Sequence, residues 1–120
     1  MPALNFQERW ADPVESGEKG QTIRPERWTP IKVGDRLYLY TGMRTKKCRL
    51  LRETTCKEVT PIIVGTTSIQ IVDADSLNVH VDRRWLKAFA QKDGFLSWRE
   101  MHDWFRDRYG LPFEGVLIEW

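Results

Sequence analysis

Soft metal ligands are scarce in this chain of 120 residues, which has only two cysteines and two histidines. Cys48 and Cys56 form no C-x-x-C pattern, and His80 and His102 lie far from both in sequence. No metal-ligand spacing can be assembled from these four, so no metal or other cofactor is expected and two reduced, partly buried thiols are the simpler reading. No apolar run approaches the ~20 residues needed to span a bilayer, and no membrane partner is expected. The first ten residues, MPALNFQERW, lack the basic start and apolar core of a signal peptide, which points to the cytoplasm. Internal repeats and low-complexity tracts are missing too. That leaves a single domain over residues 1–120, long enough to bury roughly two-thirds of its unfolded surface.

Excess charge of one sign is also lacking. The net charge of +2 creates no global field that demands a nucleic acid. The distribution is nevertheless uneven. Residues 43–52, MRTKKCRLLR, carry Arg44, Lys46, Lys47, Arg49 and Arg52 with no acid among them. Such a run engages phosphate through Coulomb attraction and counterion release, or it is the solvated tip of a hairpin.

Punctuation along the chain predicts many short strands and a few helices. DPVESG reads as a short helix with Asp12 as its cap, Pro13 at its first position and Gly17 just past its end. QTIR follows as a brief strand that Pro25 stops. In RLYLYTGM, Leu37 and Leu39 alternate with Tyr38 and Tyr40, so both faces are substantial. KCRLLRETTCKEVTPIIV reads as one long or broken strand, SIQIV and NVHVD as a hairpin across DADSL, and GVLIEW as a closing strand. One helix covers about DRRWLKAFAQK, with Trp85, Leu86 and Phe89 on its apolar side. A second begins at a capping box of Ser97 and Glu100 and ends at Gly110 and Pro112. In it Trp98, Met101, Phe105 and Tyr109 fall at helical spacing and read as core. The pattern implies an α+β domain built on a small, curled β-barrel with flanking helices.

GEKGQTIR, residues 17–24, resembles the G-x-K-x-x-T-x-R signature of the ASCH domain, a member of the PUA-like superfamily. IKVGDRLYLYTGMRTKKCRLL is similar to the segment after that signature in small bacterial and prophage ASCH proteins. KDGFLSWREMHDWFRDRYG and the final VLIEW resemble their later elements, so the likeness runs from about Phe6 to Trp120. It implies a barrel with a cleft lined by the signature, in proteins that act on RNA or nucleotides. Some small members are amidohydrolases that remove the acetyl group of N4-acetylcytidine, using a lysine, a threonine and a glutamate. Carried over by motif, the lysine is Lys19, the threonine Thr22, the signature arginine Arg24, and the carboxylate Asp93. Aspartate is one methylene shorter than glutamate and reaches about 1 to 1.5 Å less far. A misplacement of that size can cost on the order of 100-fold in rate. Glu100 or Asp73 are the other carboxylates that could serve.

The residues allow that chemistry without requiring it. A threonine hydroxyl is a weak nucleophile until a base takes its proton. A lysine amine does so only when burial or a neighbouring cation lowers its pKa from about 10.4. In an extended segment Thr22 and Arg24 share a face, and Lys19 can swing toward it across Gly20. Arg24 then offers hydrogen bonds to an oxyanion or to phosphate. The plainer reading is a strand threonine, a solvated loop lysine, and an arginine paired with Glu26 or Asp12. In NVHVD the trio Asn78, His80 and Asp82 shares a face that either lines a polar pocket or meets solvent. His102 reads as a packing or surface residue.

Two functions follow. One is an RNA- or nucleotide-binding module with Lys19 and Arg24 in a cleft, and Arg44, Lys46, Lys47 and Arg49 at its rim. Tyr38, Tyr40 or Trp28 would stack on an unpaired base. The other is a hydrolase of N4-acetylcytidine or a related modified nucleoside, with Lys19, Thr22 and Asp93 as its working set. A deep, narrow cleft favours the hydrolase, and an open basic groove favours the binding module.

Overall fold

The computed structural model describes residues 2–73 and 76–120. Its elements run β1 (Ala3–Phe6), α1 (Glu8–Ser16), β2 (Gln21–Arg24), β3 (Arg36–Thr41), β4 (Arg49–Thr55), β5 (Glu58–Val64) and β6 (Ile69–Asp73). Then come β7 (Ser76–His80), α2 (Arg83–Lys92), α3 (Trp98–Tyr109) and β8 (Phe113–Glu119). The α+β content agrees with the sequence pattern. The expected curled barrel of PUA-like type does not: the strands form two separate sheets, one three-stranded and ordered β1-β3-β4, the other five-stranded and ordered β2-β8-β5-β6-β7.

A barrel needs one hydrogen-bonded ladder that returns to its start. Here, among the described residues, β1 pairs only with β3 and β2 only with β8, so both sheets keep open edges. The segment that reads as one long strand is broken at Cys56 and Lys57, and its halves belong to different sheets. The backbone shows why. Cys56 donates its N–H to the Asp35 carbonyl and accepts from Gly34, which holds it beside β3. The next N–H, of Lys57, goes to the carbonyl of Glu119 at the end of β8. The chain changes sheets within one peptide unit.

The core lies between these layers. On β3, Leu37, Leu39 and Thr41 are buried and Tyr38 and Tyr40 half-buried, the period of two that a sheet with one covered face requires. On β8 three consecutive residues, Val116, Leu117 and Ile118, are buried, so this central strand is covered on both faces. Helix α1 buries Trp10, Ala11 and Val14 and packs on β3 and β4. Helices α2 and α3 pack on each other, with Leu86, Phe89 and Ala90 buried on α2 and Met101 and Phe105 on α3.

Other local expectations have mixed outcomes. Ser97 caps α3 by accepting from the Glu100 N–H, and Asp82 caps α2 by accepting from Arg84 and Trp85. Gly17 ends α1 with φ of 91°. That helix starts at Glu8, however, so Asp12 is not its cap and Pro13 sits inside it. Proline cannot donate to the carbonyl four residues back, but the burial of Trp10, Ala11 and Val14 offsets the loss. Strand β1, parallel to β3, was not legible as an element. The β6–β7 hairpin forms, and its tip residues 74 and 75 lie outside the described residues. Cys48 is exposed and Cys56 fully buried, both unpaired, in place of two partly buried thiols. No helix among the described residues is long and apolar enough to cross a membrane.

Candidate functional site

A cavity of about 70 Å³ opens where β1, β2, the end of α2 and the last turns of α3 meet. Lys19, Thr22, Arg24, Asp93 and Arg108 are among its charged and polar lining, and Phe6, Trp10, Phe95, Trp104 and Tyr109 form its aromatic walls. It is narrow enough for one small group, such as an acyl group or the edge of a single ring, to enter.

Each polar residue is aimed by local structure. The left-handed turn at Gly17 reverses the chain after α1, and the Lys19 N–H bonds back to the Pro13 carbonyl at 2.9 Å. The Lys19 side chain is thereby directed inward and is only 3% exposed. Its Nζ donates to the backbone carbonyl of Asp93 at 2.5 Å and lies 3.4 Å from the Asp93 carboxylate. The rings of Trp10 and Phe6 stand 5.3 and 5.9 Å from the same nitrogen. Asp93 is the residue that ends α2, anchored through its N–H to the carbonyls of Phe89 and Ala90. Gln21 Nε2 reaches its Oδ1 at 3.4 Å. The following residue must be glycine. Gly94 has φ of 95°, and a Cβ there would stand 2.9 Å from the Trp10 ring and 3.3 Å from Lys19 Cδ.

Thr22 and Arg24 share a face of β2, as the period of two requires. Arg24 Nε donates to Thr22 Oγ1 at 3.1 Å, and Arg24 Nη2 donates to the carbonyl of Asn5 at 2.6 Å. Neither Glu26 nor Asp12 takes this guanidinium, contrary to the plainer sequence reading.

Burial governs the electrostatics. It pushes the Lys19 ammonium below its ordinary range, opposed by Asp93 and helped by the charges of Arg24 and Arg9. Burial also pushes the Asp93 carboxyl up, against the pull of Lys19 and Gln21. The geometry is that of an ion pair, whereas burial drives both partners toward their uncharged forms. For Lys19 the effect of burial prevails and its pKa is lowered. Its nitrogen faces two aromatic rings and a carbonyl, and its carboxylate contact is a long one. A neutral amine keeps the bond to the Asp93 carbonyl and has a lone pair left over.

The structure therefore brings together Lys19, Thr22, Arg24 and Asp93. It does not bring Arg44, Lys46, Lys47 or Arg49 into the lining of this cavity. Those four sit in or beside the β3–β4 turn, exposed, and Arg49 pairs with Glu15 at 2.7 Å. The turn is linked to the cavity indirectly, since the Met43 N–H donates to Asn5 Oδ1. Of the other carboxylates considered, Glu100 is outside the cavity and bound to Arg9 at 2.6 Å, and the Asp73 side chain lies outside the described residues. Trp28 is fully exposed in a loop, and neither it nor Tyr38 or Tyr40 lines the cavity. His80 stacks on Trp85 at 3.6 Å and Asp82 caps α2, so these two side chains are engaged with the helix. His102 meets Asp103 and the edge of Trp98.

Sequence reading missed Asn5, Trp10, Arg108 and Tyr109, all of which line the cavity. Arg108 and Tyr109 occupy the last turn of α3, where a basic residue reads only as compensation of the helix dipole. Asn5 carried no signal, because its part is played by a backbone carbonyl. No family model matches the chain, nor does any curated protein or solved structure.

Proposed function

We propose that the protein is a small amidohydrolase that removes an acyl group from the exocyclic nitrogen of a nucleobase, with N4-acetylcytidine as the first substrate to test. The observation that carries this reading is Lys19: a buried lysine, pushed toward its neutral form, in one narrow cavity with a threonine hydroxyl. A lysine needed only for solubility or for a surface ion pair has no reason to be there. The likeness of GEKGQTIR to the ASCH signature supports the same assignment of roles.

In this mechanism the Lys19 amine takes the proton of Thr22, and Thr22 Oγ1 attacks the acyl carbonyl carbon. The tetrahedral oxyanion is stabilised by the N–H groups of Arg24 that are not already engaged. Collapse breaks the C–N bond, and the Lys19 ammonium returns its proton to the departing amine. Water, deprotonated by Lys19, then attacks the acyl-threonine ester, which releases the carboxylic acid and restores Thr22. Asp93 positions the base. Its carboxylate stands back at 3.4 Å and its own carbonyl makes the close contact, which is how the shorter acid can hold the amine. Aromatic walls suit a planar ring at the mouth.

The test is hydrolysis of N4-acetylcytidine by purified protein, followed by the change in its ultraviolet spectrum. Wild type should turn over, Lys19→Ala and Thr22→Ala should not, and Thr22→Ser should retain part of the rate, with folding checked by circular dichroism. Absence of turnover by wild type at high enzyme concentration, or undiminished turnover by folded Thr22→Ala, rejects the mechanism.

A second reading, nucleotide or RNA binding without turnover, is favoured by one contact. Arg24 already engages an acceptor site of Thr22 Oγ1, as it would if the threonine served to orient the guanidinium. On that reading the exposed Arg44, Lys46 and Lys47 extend the surface, and RNA affinity falls steeply with salt.

A further inference from the structure

The proposed chemistry uses Lys19 and part of the Arg24 guanidinium and leaves Arg108 without a role. Three cationic side chains line it, Lys19, Arg24 and Arg108, against one carboxylate, Asp93, which lies against Lys19. The two arginines have only neutral partners. Arg24 donates to Thr22 Oγ1 and the Asn5 carbonyl, and Arg108 Nε donates to the Tyr109 hydroxyl at 3.3 Å. Among the described residues no carboxylate comes within ion-pair distance of either guanidinium. Burial disfavours the charge of Arg24, Tyr109 and the more distant Asp93 favour it, and Arg108 and Arg27 repel it. Arg108 is exposed and lies over the rings of Trp104 and Tyr109, at 5.3 and 5.6 Å. Two guanidiniums beside one cavity, neither in contact with a carboxylate, make a site for an anion that arrives with the ligand.

We infer that Arg24 and Arg108 form a phosphate subsite at the cavity mouth, so that the ligand is a nucleotide and not a free nucleoside. The inference rests on the nucleobase reading above and sharpens it. The ring faces the aromatic walls, its acyl group reaches Lys19 and Thr22, and its phosphate meets the two guanidiniums. A hydrogen bond between charged groups is worth about 1.5–3 kcal/mol, so the phosphate should raise affinity roughly tenfold or more.

Binding, which does not depend on turnover, is the measurement. Cytidine 5′-monophosphate and cytidine would be titrated by calorimetry into wild type, Arg108→Gln and Arg108→Lys, all checked for folding. The expected result is a monophosphate-to-nucleoside affinity ratio of roughly ten or more in wild type. It should collapse toward one in Arg108→Gln and be partly retained in Arg108→Lys. Equal affinities in wild type, undetectable binding of both, or an unchanged ratio in Arg108→Gln overturns the inference. Hydrolysis of N4-acetylcytidine and its 5′-monophosphate, run in parallel, keeps the two proposals apart. A phosphate-dependent ratio without turnover removes the hydrolase and leaves the subsite, and turnover without the ratio does the reverse. A short oligocytidylate separates the sources of the phosphate. Affinity matching the monophosphate assigns a backbone phosphodiester and weaker affinity a terminal phosphate, and both support the subsite.

Discussion

Replacing Lys19 by methionine keeps the length of the side chain and removes the nitrogen that faces Asp93. In its charged form the pair, at 3.4 Å, attracts by about 5 kcal/mol in an effective dielectric of about 20. Desolvation largely offsets that gain, in keeping with the drive of both groups toward neutrality. Removing one member of such a buried pair costs about 3–5 kcal/mol, because the other is stranded. In Lys19→Met the stranded group is Asp93, 4% exposed, with only Gln21 at 3.4 Å to solvate its carboxylate. Burial already raises the Asp93 pKa, and loss of the lysine raises it further. A carboxyl whose folded pKa is raised binds its proton more tightly in the native state. Its contribution is therefore favourable at low pH and is lost as pH climbs from the unfolded value, about 3.9, through the folded one. Across that window the slope is about 1.4 kcal/mol per pH unit for a single group. The deficit of Lys19→Met should accordingly be small near pH 4.5 and widen toward pH 7.5. Adding Asp93→Asn should recover much of the loss at pH 7.5 and flatten the dependence. Urea unfolding at several pH values, read by tryptophan fluorescence, measures all of this. Equal stability of the single and double variants at every pH would show that Asp93 is not desolvated and sink the reasoning.

Three further outcomes are expected. Gly94→Ala forces a left-handed residue and a methyl group against Trp10 and Lys19, so it should destabilise by about 2 kcal/mol in thermal unfolding and lower turnover as well. If hydrolysis is found, kcat/KM should rise with pH along a limb set by Lys19, below the ordinary lysine value of about 10.4. Lys19→Arg, which stays protonated, should abolish activity at every pH. Glu100→Gln should lose less than about 1 kcal/mol, since its pair with Arg9 is half-exposed, and should keep full turnover because Glu100 is outside the cavity.

What was legible in the sequence follows the range of the interactions involved. The caps at Asp82 and Ser97 and the left-handed turn at Gly17 act within a few residues, and each is where its residue type indicates. The spacing of Thr22 and Arg24 on one strand is equally local, which is why half of the candidate site could be read directly. Sheet partnership is not local. Nothing in KCRLLRETTCKEVTPIIV reveals that Cys56 bonds to residues of one layer and Lys57 to the end of another. The curled barrel was inferred from strands that are substantial on both faces, but on β3 Tyr38 and Tyr40 are only half-buried while Leu37 and Leu39 are fully so. Helix α1 was begun too late because Pro13 was read as a start signal, although the burial of Trp10, Ala11 and Val14 carries the helix through it. Arg108 escaped notice because a charged residue in a last helical turn has an ordinary reason to be there.

The Lys19–Asp93 contact joins residues 74 positions apart. Closing a chain segment of that length costs about 4 kcal/mol in configurational entropy. Neither the base nor its holder can therefore be in place before α2 has docked against the N-terminal third of the chain. An excursion that lifts the end of α2 hydrates Lys19 and restores its ordinary basicity, which on the proposed mechanism leaves Thr22 without a base. If the proposed hydrolysis is found, it should track the docking of one helix, and amide protection around Asp93 should fade together with it.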